Sequence, residues 1–147
     1  MGQNRHLSRT VCMQSLFEWE FRGHHNLEPI VERNIHEFER DVSSEYVWNV
    51  IRGVTAHMEE INALILEAAP EWPLEQIARI DKNTLRVALF EMLFDTTEDV
   101  PPRVSINEAI EVAKTFGSES SSKFVNGVLG SVYRKYEERL RPRDVKP

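Results

Sequence analysis

"SINEAIEVAKTFGSESSSKFVNGVLGSVYRK", residues 105–135, is the most informative stretch of this chain. Apolar residues recur at three- and four-residue spacing on both sides of Gly117, the periodicity of two successive helices. Ser105 and Glu108 have the spacing of a capping box, which predicts a helix from Ser105 to Phe116. Gly117 ends it, and after the serines at 120–122 a last helix is expected to run to about Leu140. That helix holds Asn126, Gly127 and Gly130 in its interior, where each glycine costs about 1 kcal/mol relative to alanine. Gly127, Gly130 and Ser131 present almost no side chain. They predict the close approach of a neighbouring helix, with Asn126 bonding across the contact.

Working outward, the same spacing recurs and strand-like alternation does not persist. A first helix is predicted over residues 5–21, with Cys12 on its apolar side and Gly23 as its stop. A second covers about 28–38, with Pro29 in its first turn. Ser43 or Ser44 caps a long third helix reaching about Ala68, with Tyr46, Val50, Val54, Met58, Ile61 and Ile65 inward. Prolines 70 and 73 make a loop, Asp81 is a plausible N-cap for a helix ending near Phe94, and Val100-Pro101-Pro102 is a connector. The fold class is all-α: a compact bundle of six or seven helices in one domain, with a flexible tail at 141–147.

Composition narrows the function. No apolar run approaches the roughly 20 residues of a membrane span, and residues 1–10 lack the apolar block of a secretory signal. Cys12 is the only cysteine, which rules out an internal disulfide framework. Those absences suggest a cytoplasmic protein. The net charge of −6 divides into +2 over residues 1–17, +3 over 134–147 and −11 between them. Basic ends on an acidic body suggest an anionic partner reached by the ends, or simply solvated termini. His24-His25 lacks the further ligands of a metal site, and the glycines form no phosphate loop, so neither an enzyme nor a cofactor or metal protein is expected.

The wording of the quoted stretch adds more. "INEAIEVAKTFG" and "SSKFVNGVLGSVYRK" resemble the C-terminal signature of the NusB family of bacterial transcription antitermination factors. That signature reads I-N-E-A-(V/I)-E-(L/I)-A-K-x-(F/Y)-G, then S-x-K-F-(V/I)-N-G-(V/I)-L-(D/G). "IDKNTLRVALFEML", residues 80–93, is similar to another family helix, Val100-Pro101 to its V-P turn, and "SRTVCMQSLFEWEF" to its first helix. The resemblance extends over most of the chain.

It implies binding of boxA-type single-stranded RNA, a heterodimer with ribosomal protein NusE and entry into the RNA polymerase antitermination complex. The resemblance also implies two helical subdomains, over about 1–72 and 73–140, and a possible homodimer through the RNA face. Carried over residue by residue, it implies RNA contacts from Arg5, His6 and Arg9 in the family's arginine-rich stretch, from Gln14 and Phe17 in its Q and Y/F places, and from Ser120, Ser122, Lys123 and Phe124 around the start of the last helix. Asp81 and Glu108 are implied for the NusE face. Arg5, Arg9 and Lys123 are expected to form one positive patch. The residues themselves leave other roles open: Phe17 and Phe124 as core, Lys123 as a solvated lysine, Asp81 and Glu108 as helix caps. Two rival functions also stand, a protein-interaction module without RNA binding and a fragment of an RNA methyltransferase carrying a NusB-like domain.

Overall fold

The structure, a computed structural model, describes residues 4–145. Within them the chain forms eight α-helices and no strand: α1 (Arg5–Phe21), α2 (Leu27–Glu37), α3 (Ser44–Ala56), α4 (Met58–Ala68), α5 (Arg79–Leu93), α6 (Pro102–Phe116), α7 (Ser121–Lys135) and α8 (Glu137–Asp144). A single 3₁₀ turn, Leu74–Gln76, precedes α5. The all-α reading is met.

The bundle is organised around α5. Every residue from Asp81 to Leu93 is buried, because α1, α3, α4, α6 and α7 all pack against that helix. A helix buried all round has no polar face to give to water, so its polar side chains must find partners inside. Those partners set the directions of the neighbours. Glu20 near the end of α1 meets Lys82 near the start of α5, and Arg9 near the start of α1 meets Glu91 near the end of α5, so the two helices are antiparallel. Ser105 on α6 reaches Glu91, and Ser121 at the start of α7 lies beside Asp81. Thus α6 also runs against α5, and α7 returns alongside it. One hydrophobic cluster extends from Val11 to Leu140 and joins all these helices.

Several boundaries differ from expectation. The long third helix is two, α3 and α4, broken at His57 (φ −110°, ψ 21°). The apolar spacing from Val54 to Met58, Ile61 and Ile65 stays in phase across the break, so periodicity cannot show it. The His57 ring stacks on Phe94 at 4.5 Å, seating the bend on the end of α5. The last helix is likewise broken at Tyr136. Nor does the chain loosen at Arg141. It stays helical to Asp144, and Arg143 donates to the carbonyls of Glu91 (3.3 Å), Met92 (2.5 Å) and Val100 (2.7 Å). A cation at the carboxyl end of α5 satisfies carbonyls the helix leaves open. Lys146 and Pro147 lie outside the described residues.

Two cap assignments also change. Helix α6 begins at Pro102, in the first-turn position that suits proline. Ser105 is therefore buried inside the helix and donates to Glu91, and there is no capping box. Helix α5 begins two residues before Asp81, which sits in its first turn. Ser43 does cap α3, accepting from the Tyr46 backbone N–H at 3.1 Å.

The glycines of α7 do not receive a neighbour. A Cβ built on Gly127 meets nothing within 4 Å, and Gly127 and Asn126 lie on the exposed side. The close approach is elsewhere. A Cβ on Gly53 of α3 would lie 2.0 Å from Cε1 of Phe90. Gly53 therefore lets the buried ring of α5 lie directly against the α3 backbone.

Candidate functional site

The start of α1 is held by a buried polar network. The Arg9 Nε donates to Glu91 Oε1 at 2.8 Å and its Nη2 to Oε2 at 3.1 Å. Glu91 also accepts from the Tyr46 hydroxyl at 2.8 Å and from the Ser105 hydroxyl at 3.3 Å. Burial and the adjacent Glu91 carboxylate push the Tyr46 hydroxyl far above its ordinary pKa, so it remains a donor. Only 6% of Arg9 is exposed. Taking such a pair out of water is costly, and the four hydrogen bonds on the Glu91 carboxylate offset that cost.

Around that network the remaining basic groups of α1 are paired. Arg5 lies over the Tyr46 ring, 4.3 Å to its centroid, and meets Glu98 at 3.2 Å. His6 Nδ1 is 2.8 Å from Glu108, which also lies 3.5 Å from Arg9. Arg9 is thus a structural cation. The phosphate contact expected of it is corrected by its burial and its two-pronged bond to Glu91. The implied NusE contact of Glu108 is corrected in part, since its carboxylate is half-buried and already engaged.

The other end of α5 is built differently. Glu20 lies 2.5 Å from Lys82, accepts from Asn83 at 3.0 Å and meets Arg86 at 3.5 Å. Burial works against the Glu20 charge, but these donors prevail and hold its pKa below the ordinary value. Asp81, only 7% exposed, lies beside Ser121; its Oδ1 has no partner, and burial raises its pKa. That burial removes Asp81 from the exposed face where it was expected.

Lys123 stands exposed one turn into α7, with no carboxylate in ion-pair range among the described residues. Ser120 is exposed, 3.2 Å from the Ser118 hydroxyl, and Ser122 is half-buried. Phe124 packs partly on the core. On α1, Gln14 and Phe17 are both half-buried, and the Phe17 ring lies parallel to Phe21.

The expected positive patch is therefore not one patch. Arg5 and Arg9 lie by the end of α5 and Lys123 by its start. The ten-residue step from Asp81 to Glu91 separates them by about 15 Å of helix. Phe17 on α1, and Lys123 and Phe124 on α7, stand level with the start of α5, on two helices that each pack against it. Tyr46, Glu91, Phe21 and Arg79 were missed. Glu91 had a signal, an acid inside the apolar run of "VALFEML". Tyr46 and Arg79 had none.

Among the described residues no group of three or more His, Cys, Asp or Glu is placed to hold a metal ion, and no helix is long and apolar enough to cross a membrane. Burial keeps the Cys12 thiol protonated.

Comparison with known proteins bears on this arrangement. The model of the NusB family matches residues 6–134. A transcription antitermination protein NusB from Roseiflexus castenholzii is 41% identical over 142 residues, covering 96% of this chain and 99% of its own. Its counterpart from Chloroflexus aggregans is 40% identical over 137 residues, covering 92% and 91%. The solved structure of T. maritima NusB superposes with a TM-score of 0.83 at 35% identity, over 97% and 98% of the two chains. A chain from a crystal structure of the antitermination factors NusB and NusE with double-stranded RNA shares the fold, with a TM-score of 0.77 at 24% identity over 90% and 97%.

Proposed function

The chain belongs to the NusB family, and from that premise we propose that it is a transcription antitermination factor that binds boxA-type single-stranded RNA together with ribosomal protein NusE and joins the RNA polymerase antitermination complex in the cytoplasm. The observation that carries this reading is the presence, at the end of the bundle where α5 starts, of two part-exposed aromatic rings and an exposed lysine without a carboxylate partner among the described residues. Phe17 comes from the first-helix motif and Lys123 and Phe124 from the last-helix motif, more than a hundred residues apart in sequence. Single-stranded RNA is recognised by stacking its bases on aromatic side chains while cations track its backbone. This end of the bundle supplies both, and the helix start at Ser121 adds open backbone N–H groups beside Lys123.

NusE would be received on the acidic surface of the body, whose residues between 18 and 133 carry −11. The paired cations at the start of α1 have a consequence for affinity. Arg5 and His6 each have a carboxylate partner and Arg9 is buried, so few counterions are released there. The binding is expected to depend weakly on salt and strongly on stacking.

The same neutralisation favours a second reading, an interaction module that keeps NusE and has no RNA affinity. Fluorescence anisotropy of a labelled boxA RNA, titrated with this protein in the presence and absence of NusE over a range of salt, separates the two. Binding that tightens with NusE supports the antitermination role. Absence of RNA binding at low salt with NusE present leaves only the interaction module.

A further inference from the structure

At the carboxyl end of α1, Phe21 is 67% exposed, an unusual position for a phenylalanine on a helix with a large apolar face. Its ring is parallel to that of Phe17 within 6°, with centroids 6.5 Å apart. The guanidinium of Arg79, from the first turn of α5, lies over the Phe21 ring at 5.4 Å. Two aromatic faces and one planar cation therefore form a strip along the surface.

The charges around the strip are unequal. The two carboxylates on this part of α1 are already engaged: Glu18 with Arg22 and Arg33, and Glu20 with Lys82 and Arg86. Arg79 has no carboxylate in ion-pair range among the described residues, and neither does Lys123 at the same end of the bundle. The strip thus carries one cation without a carboxylate partner among the described residues, Arg79, while the two carboxylates of its own helix segment are engaged. A nucleobase would meet flat aromatic faces with the Arg79 cation beside them.

We propose that Phe21 and Arg79 form an additional base-stacking subsite for single-stranded RNA, extending the track beyond Phe17 toward the start of α5. This rests on the RNA-binding reading above and lengthens its footprint by residues that reading does not use. The base stacks on the exposed face of Phe21, and Arg79 contributes its plane and charge.

The test uses the full chain with NusE and a series of boxA RNAs lengthened by a few nucleotides at either end, with 2-aminopurine in the added positions. For the wild type, lengthening at one end should tighten binding and quench the probe. Phe21→Ala should abolish the quenching and weaken the longer RNA roughly tenfold, while the shortest bound RNA is held as before. Phe21→Trp should restore both. Arg79→Ala should reduce the salt slope of the longer RNA by about one unit. Because Phe21 is so exposed, its alanine variant should keep the wild-type melting temperature. Equal binding of every RNA by wild type and Phe21→Ala overturns the subsite while leaving the RNA-binding reading standing. Unchanged RNA binding with weakened NusE binding assigns the strip to the protein partner instead. Failure of the wild type to bind even the shortest RNA removes the reading and the subsite together.

Discussion

Arg9 and Glu91 are 82 residues apart in sequence, yet the guanidinium of one donates to both carboxylate oxygens of the other. This pair, with Tyr46 and Ser105 bonded to the same carboxylate, ties α1, α3, α5 and α6 together at one point. It also buries an arginine that the resemblance places among the RNA contacts.

Removing one partner leaves the other charged and buried. Arg9→Met is therefore expected to lower unfolding stability by about 3–5 kcal/mol, and Arg9→Met with Glu91→Leu by clearly less, because the orphaned carboxylate is gone. Urea unfolding of the two single variants and the double variant measures the coupling. Additive losses would mean the pair acts as two independent groups.

Gly53 and Gly127 should respond to alanine with opposite signs. At Gly53 the added methyl group collides with the Phe90 ring, and a loss of about 1–3 kcal/mol is expected from the overpacked core. At Gly127 the methyl group enters open space on a helix, so Gly127→Ala should stabilise the protein by about 0.5–1 kcal/mol. Thermal unfolding of both variants decides the matter.

The carboxyl end of α5 depends on Arg143. Its bonds to the carbonyls of Met92 and Val100, with Nε 2.8 Å from Asp99, clamp α8 onto the connector after α5. Arg143→Ala should lower stability by about 1–3 kcal/mol through these unpaired acceptors. It should also raise amide exchange across residues 136–144, and native-state hydrogen exchange resolves that local effect from a global one.

Two carboxylates near the start of α5 titrate with opposite consequences. The pKa of Glu20 is lowered in the fold, so its contribution is full above the unfolded carboxylate pKa and is lost as pH falls through the folded value. The pKa of Asp81 is raised, so the folded state binds its proton more tightly than the unfolded chain. Stability from this group is present at low pH and declines as pH rises from the unfolded to the folded value. Asp81→Asn should then stabilise the protein at pH 7 and flatten this decline, whereas Glu20→Gln should destabilise it at pH 7 and remove the acid-side loss. Melting temperatures of both variants between pH 3 and pH 7 give the signs.

The helices themselves were legible because each is encoded locally. Three- and four-residue spacing located α1, α2, α5, α6 and the first part of α7 to within a few residues. Where that signal failed, the cause was specific. At His57 and Tyr136 the apolar spacing continues unbroken through the bend, so nothing local marks it. Ser105 and Glu108 have capping-box spacing, yet the serine is drawn inward by Glu91 and the glutamate by His6 and Arg9. Gly127 and Gly130 suggested a close contact that Gly53 makes instead, because the size of the opposing ring, Phe90, is not written beside the glycine that admits it.

The candidate site divides in the same way. Residue types in order along the chain were enough to establish an all-helical protein, its kinship with the NusB family and the short roster of aromatic and basic side chains that could meet RNA. Which of those cations stay free was settled only when α5 became the buried axis of the bundle. A charge enclosed on all sides must be met by an opposite one, and the partner that reaches Arg9 lies on a helix far along the chain, brought there by packing and not by proximity in sequence.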